Sequence, residues 1–401
     1  MAKGDLVGHP IISAILDLVI VTSNQVAFVE KIEEKMGIHG NATCAMSFGA
    51  RGPAKGWLIG AEGQGMSIMF HMMNEARLEV GVQGLSGAAA AYGNALSYAK
   101  GRIQGVSIDD YGKAGATSVP IIEHPDVRRM LMWQKVHVEG LRLLIYDVAL
   151  AIDRWHAAEH AENPDKDTIR GLKGYVELMT PIVKSYASDK GFDATVSSMQ
   201  TFGGYGFVGE YPVEQIARDT KIASIYEGTN GIQAMDLVGR KMARKGGMAF
   251  MQTLNWLNHK INAVTESASF AAEGALLGKA RDRLGACAMH LSQVGMSGDQ
   301  EGAVSHAYDM LMLFGDVVIG ALLGDQALLA EGKLDALAAD AGVDLGNADA
   351  RREFLRGNPD ALFYAGKLDN LRFYAHQHLP RTAALKHMIT ATDRTVMEAV
   401  F

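Results

Sequence analysis

Closely spaced glycines make residues 200–233 the stretch of this sequence best suited to binding a ligand. Gly203, Gly204 and Gly206 carry no side chain that would keep a phosphate or a planar ring away from their backbone N–H groups. A tight turn between two helices would need the same glycines. Their spacing therefore leaves a ligand site and a purely structural turn both open.

Glu227 begins the second half of this stretch, directly before Gly228 and Thr229. Thr229 is typical of a helix N-cap, and the run GIQAMDLVGRK that follows predicts the helix itself. A glutamate at such a helix start is ordinarily solvated. Its residue type alone does not indicate a reaction.

Gly204, Gly206 and Gly209 also match the dinucleotide-binding pattern G-x-G-x-x-G, and Glu227 follows at about the distance of a ribose-binding acid. That pattern has to follow an apolar strand and open a helix. Here the preceding run DATVSSMQTF is polar and helix-like, and a Tyr-Pro pair comes directly after the last glycine. We therefore exclude a dinucleotide-binding fold.

The elements that would position this stretch are mainly helices. Apolar residues at spacings of three and four predict a helix over 66–101, in which Gly84 and a row of alanines would let another helix approach closely. Before it, the runs VAFVEKI, TCAMSF and GWLIG are typical of short strands between turn-forming glycines. Further helices are predicted over 125–162, 167–189, 194–200, 213–224, 231–246, 249–294, 301–330 and 350–400. Long helices with short connections favour an antiparallel bundle.

Composition indicates a globular protein without a nucleic-acid surface. The formal charge is −7, from 38 basic and 45 acidic residues scattered along the chain. Cys44 and Cys287 lie far apart without metal-ligand partners at motif spacing, which predicts two buried thiols, no metal site and a reducing compartment. The apolar run 11–21 contains Asp17 and is shorter than the roughly 20 residues of a membrane span. We expect no membrane span and a cytoplasmic location.

Four motifs inside residues 200–233 resemble the C-terminal domain signature of the acyl-CoA dehydrogenase family: Q-x-F-G-G-x-G, E-Y-P-V-E, R-D and I-Y-E-G-T, in this order. The resemblance covers roughly residues 30–245. The region around 369–380 and the extra helices resemble the larger bacterial members related to 3-methylmercaptopropionyl-CoA dehydrogenase. The resemblance implies a mainly α fold, with the family's C-terminal helical bundle, a small residual β segment near the N-terminus and an additional C-terminal helical region.

The resemblance also implies an FAD-dependent enzyme that oxidises an acyl-CoA thioester to a 2-enoyl-CoA. Glu227 matches the base that removes the α-proton while a β-hydride passes to flavin N5, and Gly228 leaves room for the substrate. An α-proton beside a thioester is weakly acidic, so the base must be desolvated and within hydrogen-bond reach of that carbon. Arg77 matches a substrate-side arginine, with a salt bridge in the core as an equal alternative. Some relatives carry the base just before this arginine, where Ala76 stands here.

For the cofactor, the resemblance assigns six residues to FAD: Arg102, Gln200, Gly203, Gly204, Thr229 and Gly231. Arg102 matches the arginine that pairs with the pyrophosphate, a role that suits its planar charge, although a lone arginine at a helix end is otherwise a solvated cap. The segment 200–204 matches one that reaches the adenosine half of FAD across a subunit interface. This implies a homodimer or homotetramer. Electron-transfer flavoprotein is the electron acceptor that the resemblance favours.

The N-terminal part departs from the family pattern. Residues 1–25 do not resemble the family, and the T-E-P-x-A-G-S-D-like run that holds the flavin ring has no counterpart. We expect a shortened member, with a β-domain remnant over 1–60, a helical bundle over 61–245 and additional helices over 246–401. Two functions stay open: an active acyl-CoA dehydrogenase, or a catalytically incompetent helical scaffold that associates with itself or with a full-length relative.

Overall fold

The computed structural model describes residues 19–21, 27–54, 56–391 and 393–401. Contacts divide the chain into two compact units, residues 1–79 and residues 80–401. The apolar run 11–21 lies outside the described residues except for Val19–Val21, which form a strand. The proposed division at 60 and 245 stays a prediction, and residues on both sides of 245 belong to the second unit.

The first unit contains four short strands, β1 (Val19–Val21), β2 (Ala27–Ile32), β3 (Cys44–Phe48) and β4 (Gly56–Leu58). β2 pairs antiparallel with β3, and β1 pairs antiparallel with β4. The three predicted β-like runs are therefore strands, but they belong to two separate ladders. Cys44 is only half-buried in β3, so the prediction of two core thiols is correct for Cys287 alone.

The remaining elements are almost all helices. In chain order they are α1 (Gly65–Gly101), β5 (Ile103–Val106), β6 (Ser118–Pro120), α2 (Pro125–Glu159), α3 (Lys166–Phe202), α4 (Val213–Lys221), α5 (Asn230–Asp236), α6 (Arg244–Glu266), α7 (Ala271–Met296), α8 (Gln300–Ser305), α9 (Ala307–Asp340), α10 (Ala348–Gly357), α11 (Pro359–Phe373), α12 (Arg381–Thr390) and α13 (Thr395–Glu398). β5 and β6 pair antiparallel between α1 and α2, where the sequence predicted no helix. The prediction of a mainly α fold is confirmed.

The predicted helix break between 189 and 194 is wrong, because helix α3 continues through it. It runs unbroken for 37 residues although Pro181 lies inside it. A proline has no N–H for the carbonyl four residues earlier, which here is Glu177. The Lys241 ammonium donates to that carbonyl at 2.7 Å and takes the place of the missing donor.

Several other predicted helix bounds are also wrong. The run 249–294 is divided near Ser267, whose backbone is extended, and 350–400 contains α10 to α13 rather than one helix. Asn358 before α11 and Asn347 before α10 accept backbone N–H groups and start new helices. Apolar spacing continues across these short breaks, so it could not reveal them.

Helix α9 lies at the centre of the second unit. Its residues 310–324 are almost all buried, and it packs against α2, α3, α6, α7 and α11. It is long and apolar enough by composition to cross a membrane, but 89% of its most apolar window is buried inside the bundle, as is typical of a core helix.

Small residues bring α1 and α3 into close contact, as the sequence predicted. A Cβ on Gly84 would lie 2.5 Å from the Ala187 carbonyl oxygen, and a Cβ on Gly191 would lie 2.4 Å from the Gly84 carbonyl oxygen. The alanines on the same face, Ala88 and Ala91, are fully buried. A larger side chain at either glycine would force the two backbones apart.

A buried polar cluster joins α9 to the C-terminal helices. The fully buried Asp316 carboxylate accepts a hydrogen bond from the Tyr186 hydroxyl at 2.7 Å, and the imidazole Nε2 of His378 lies 2.8 Å from the same oxygen. Burial alone would raise the pKa of Asp316, but His378 and Arg381 outweigh it and lower that pKa. The cluster therefore holds a charged carboxylate in the core.

Candidate active site

Glu227 lies in a short loop between α4 and α5. Its φ is +55°, and Gly228 follows with a φ of +82°. A non-glycine residue in this left-handed region is strained and is held there by its surroundings. The side chain is half-buried, and its carboxylate makes no hydrogen bond or ion pair within the described residues. A carboxylate in this state is available to accept a proton.

Thr229 and Gln233, which follow Glu227 in sequence, fix the shape of the loop. Thr229 caps α5, because its hydroxyl accepts the Ile232 N–H at 3.3 Å, as the sequence predicted. The fully buried Gln233 donates from Nε2 to the carbonyl of Glu227 at 3.2 Å and lies 3.5 Å from that of Gly228. These contacts direct both carbonyls towards the helix.

Asn230 anchors the start of α5 to α3. Its Oδ1 accepts from the Lys184 ammonium at 2.8 Å, and its amide donates to the Ser188 hydroxyl at 3.0 Å. Asn230, Lys184 and Ser188 are all buried. Hydrogen bonds to a charged group are strong where water is excluded. These bonds therefore hold the loop that carries Glu227 firmly against α3.

Tyr226 fixes the other side of the loop. Its hydroxyl donates to the Gln83 amide oxygen on α1. Burial raises the pKa of Tyr226, and the negative charge of Glu227 raises it further, so the phenol keeps its proton for this bond. The loop is therefore tied to α1, α3 and α5.

A second cluster surrounds a cavity of about 320 Å³. The cavity brings together three residues that the resemblance assigned to the cofactor: Arg102, Gln200 and Gly203. Tyr98, Gln104, Gly105, Ile121, His124, Val127, Thr201 and Phe202 complete its lining. The walls thus come from the end of α1, the β5 strand, the start of α2 and the end of α3.

Arg102 gives this cavity a positive charge. Its Nε is buried without a hydrogen-bond partner, and its guanidinium forms no ion pair in the part of the chain that the structure describes. The guanidinium lies 5.4 Å from the ring centroid of Tyr205. His124 and Val127 place the N-terminus of the 35-residue helix α2 at the same cavity, and a helix N-terminus also favours anions. The cavity has the charge that a phosphate requires.

The glycine turn ends α3 beside this cavity. Gly203 has φ +60° and ψ −138°, a combination open essentially to glycine, and its N–H donates to the Gln200 carbonyl. Gly204 follows in a short 3₁₀ segment, Gly203–Phe207, which comes directly after a helix. A dinucleotide-binding fingerprint would come after a strand, so the exclusion of that fold is confirmed.

The predicted site residues thus form two groups and one separate residue. Glu227, Gly228, Thr229 and the exposed Gly231 share the loop, whereas Arg102, Gln200 and Gly203 share the cavity with Gly204 beside it. Arg77 is a buried residue of α1 in the first unit.

Sequence reasoning missed Gln233 and Lys184. Both are buried polar residues within helices. A buried amide six residues after a strained glutamate is a signal only once the loop geometry is known.

Two family models match the chain. The model described as "Acyl-CoA dehydrogenase, C-terminal domain" matches residues 63–242, and the model described as "Acetyl-CoA dehydrogenase C-terminal like" matches residues 257–399. Together they cover the second unit except for a short junction, 243–256, and the last two residues.

Curated relatives match along most of this chain but not along most of their own. The broad-specificity linear acyl-CoA dehydrogenase FadE5 of Mycobacterium tuberculosis is 36% identical over 92% of this chain and 58% of its own length. The 3-methylmercaptopropionyl-CoA dehydrogenase of Ruegeria pomeroyi is 33% identical over 92% of this chain and 57% of its own length. The chain therefore spans less than three fifths of these relatives.

A solved structure shows the same fold. The acyl-CoA dehydrogenase from Bacillus anthracis, crystallised in complex with FAD, superposes with a TM-score of 0.61 and 18% identity, over 91% of this chain and 60% of that one. At this identity the likeness concerns the fold alone.

Proposed function

Because the chain belongs to the acyl-CoA dehydrogenase family, we propose that it catalyses the FAD-dependent α,β-dehydrogenation of an acyl-CoA thioester to the 2-enoyl-CoA. The main support for this proposal is the environment of the Glu227 carboxylate. Its carboxylate is half-buried, has no partner among the described residues and lies in the I-Y-E-G-T motif that matches the position of the family's base. An unpaired carboxylate in a fixed loop is what a general base requires.

The cavity beside Arg102 fits the pyrophosphate of FAD. Arg102 offers a buried donor without a partner, and the α2 N-terminus adds positive potential. Ideal Cβ atoms on Gly203 and Gly204 would meet no atom within 4 Å, so the backbone is open to a ligand there. Arg102 and the segment 200–204 would therefore hold the anionic and adenosine parts of the cofactor. When bound, FAD supplies the two-electron oxidant.

Glu227 takes the α-proton in this proposal and becomes a neutral acid. The electron pair of that C–H bond becomes the Cα–Cβ double bond as the β-hydrogen leaves with its own pair as a hydride, which the two-electron oxidant would accept, and the thioester oxygen shares the negative charge that develops. The Glu227 N–H has no hydrogen-bond partner among the described backbone groups and can donate to the thioester oxygen. Gln233 acts as a positioning residue, because it binds the carbonyl of Glu227 rather than the substrate.

The assembly and the electron acceptor belong to the same proposal. Large apolar side chains flank the segment 200–204 and remain exposed: Tyr205 is 44%, Phe207 86% and Val208 40% accessible. Such a patch favours an interface between copies, so we propose a homodimer or homotetramer. We also propose a cytoplasmic location. Electron-transfer flavoprotein would reoxidise the protein, and its reduction during turnover is the measurement that checks this.

Product analysis tests the proposed reaction. The purified chain would be incubated with FAD, linear acyl-CoAs and an artificial electron acceptor, and the thioesters separated by mass. We expect a product lighter by two hydrogens that coelutes with the 2-enoyl-CoA. A chain that binds no FAD and forms no product would instead support the helical scaffold that associates with itself or with a full-length relative.

A further inference from the structure

A second cavity, of about 370 Å³, lies between the first half of α3 and the segment 241–252, and we name it the basic groove. Its cationic lining residues are Lys166, Arg170, Lys173, Lys241, Arg244 and Lys245, and its one acidic lining residue is Glu177. The groove contains none of the residues assigned above to the acyl-CoA or to FAD. Part of it is built from the junction 243–256, which neither family model covers.

The positive charge of the basic groove is only partly compensated. Arg170 pairs with Asp167 at 3.1 Å, and both side chains are largely exposed. Lys173 pairs with Glu159, and Arg244 pairs with Glu177. These exposed pairs contribute at most about 1 kcal/mol each, so an incoming anion can replace them.

Lys166 and Lys245 have no acidic partner within 4 Å among residues 27–54, 56–391 and 393–401. The chain as a whole carries a formal charge of −7. A cavity with two uncompensated cations is therefore a local reversal of the overall charge, and it attracts anions.

The backbone of the groove also favours an anion. Lys245, Gly246 and Gly247 have φ values of 52°, 68° and 77°, so regular helix resumes only at Met248. Met248 and Ala249 line the groove, which places the first turn of that helix at its edge. The first N–H groups of a helix have no partner within the helix and carry partial positive charge.

Apolar side chains also line the groove. They are the buried Leu178, together with Ile169 and Ala249. A groove lined by both apolar and cationic side chains suits a ligand that has an organic body and a charged end. Its volume lies within the range of about 300–1,000 Å³ typical of small-molecule sites.

We propose that the basic groove binds a small organic anion that carries a phosphate monoester or a diphosphate. The two uncompensated lysines match the charge of about −1.5 to −2 on one phosphate. Arg170 and Arg244 offer planar forks that suit phosphate oxygens. A free nucleotide and the CoA part of a thioester share this chemistry. The site is independent of the acyl-CoA dehydrogenation proposed above.

Calorimetric titration of the full chain with ADP, CoA, pyrophosphate and adenosine tests the proposal. We expect ADP or CoA to bind more tightly than pyrophosphate, because the apolar lining residues would contact the organic body, and adenosine to bind too weakly to measure. The tighter of ADP and CoA identifies the source of the phosphate. The double substitution Lys166→Gln and Lys245→Gln should weaken that ligand by at least about tenfold, because it removes both uncompensated charges.

Matched variants exclude other sites. Lys279→Gln with Lys333→Gln removes two exposed lysines elsewhere, and Arg102→Gln alters the other cavity; each should change the affinity of that ligand by less than about twofold. Met248→Trp fills the groove without changing its charge and should also weaken ADP, which keeps the test valid if the double lysine variant does not fold. Absence of binding by ADP, CoA and pyrophosphate, equal loss in the Lys279 and Lys333 control, or loss in Arg102→Gln would overturn the proposal. Equal affinity for pyrophosphate and ADP would overturn the inference that the ligand has an organic body.

Discussion

Glu227 adopts a backbone conformation that an L-residue rarely takes, and its carboxylate has no hydrogen-bond or ion-pair partner among the described residues. A left-handed φ costs a residue with a Cβ about 1 kcal/mol or slightly more relative to glycine. We expect the free energy of unfolding of Glu227→Gly to be about 1 kcal/mol higher than that of Glu227→Ala, because only glycine relieves the strain. Urea unfolding of both variants measures this difference. Equal stabilities, or a more stable alanine variant, would contradict a strained loop.

Arg102 is an arginine with a buried donor and no partner within the described residues, so its substitution tests the cofactor cavity. Arg102→Gln should weaken FAD binding by at least about tenfold, and Arg102→Lys should weaken it less, because lysine keeps the charge but loses the planar fork. Titration of the chain with FAD, followed by flavin fluorescence, gives both affinities. Arg142→Gln, on an exposed face of α2, is the control. An unchanged affinity in Arg102→Gln would remove this residue from the site.

At the residue scale, sequence predicted the positions with special backbone or charge but not their supports. Thr229 caps α5, and Gly203 occupies a conformation essentially restricted to glycine, because those residue types suit few other roles. Gln233 and Lys184 were missed. A buried amide or ammonium has no distinguishing pattern in the sequence until the carbonyl or amide that it contacts is known.

At the scale of elements, helix α3 shows why boundaries were harder to predict than helices. The sequence predicted a break between 189 and 194, which the helix does not contain. Pro181, earlier in the helix, is tolerated because the Lys241 ammonium donates to the Glu177 carbonyl, which Pro181 leaves without its usual donor. That compensation comes from a residue 64 positions away in sequence. Local propensity predicted the helix, and a tertiary contact supports it at Pro181.

Helix α2 carries a histidine whose burial predicts a pH-dependent stability. His137 is fully buried, its Nδ1 donates to the Trp133 carbonyl at 2.7 Å, and its Nε2 has no hydrogen-bond partner in the described part of the chain. Burial lowers the pKa of His137 well below its usual value, and the charges of His378, Lys190 and Arg381 lower it further. The folded protein therefore keeps this imidazole neutral.

The sign of the effect follows from the lowered pKa. Below about pH 6.5 the unfolded chain binds a proton at His137 that the folded chain does not bind. The free energy of unfolding therefore decreases as the pH falls, by up to about 1.4 kcal/mol per pH unit. Urea unfolding at about pH 7.5, 6.5 and 5.5 measures this slope. The slope should be smaller in His137→Phe and unchanged in His387→Gln, an exposed histidine. An identical slope in His137→Phe would show that other groups cause it.

For the whole molecule, sequence predicted a mainly helical chain of this family, and both are confirmed. Motif order in residues 200–233 made the family recognisable because several unrelated residue types recur at fixed spacing. The division of the first unit into two strand ladders was not predictable, since short β-like runs do not reveal which strands pair.

An exposed aromatic follows the segment 200–204, which we propose to hold FAD, and it predicts the assembly. Phe207 is 86% exposed, and Phe207→Glu would place a charge in the proposed interface. We expect this variant to shift towards monomer and to bind FAD more weakly, as measured by light scattering and flavin titration. Tyr111→Glu, at another highly exposed aromatic, should change neither. A native chain that is already monomeric would contradict the interface.

Anaerobic addition of a linear acyl-CoA to the FAD-reconstituted chain tests the central proposal most directly, with the native protein and Glu227→Gln compared by their visible spectra. We expect the native flavin absorbance to bleach, whereas Glu227→Gln keeps its flavin and bleaches slower by about 10²-fold or more, because the amide cannot take the α-proton. A native chain that retains no flavin once unbound FAD is removed, or a Glu227→Gln variant that bleaches at the native rate, would contradict the proposal.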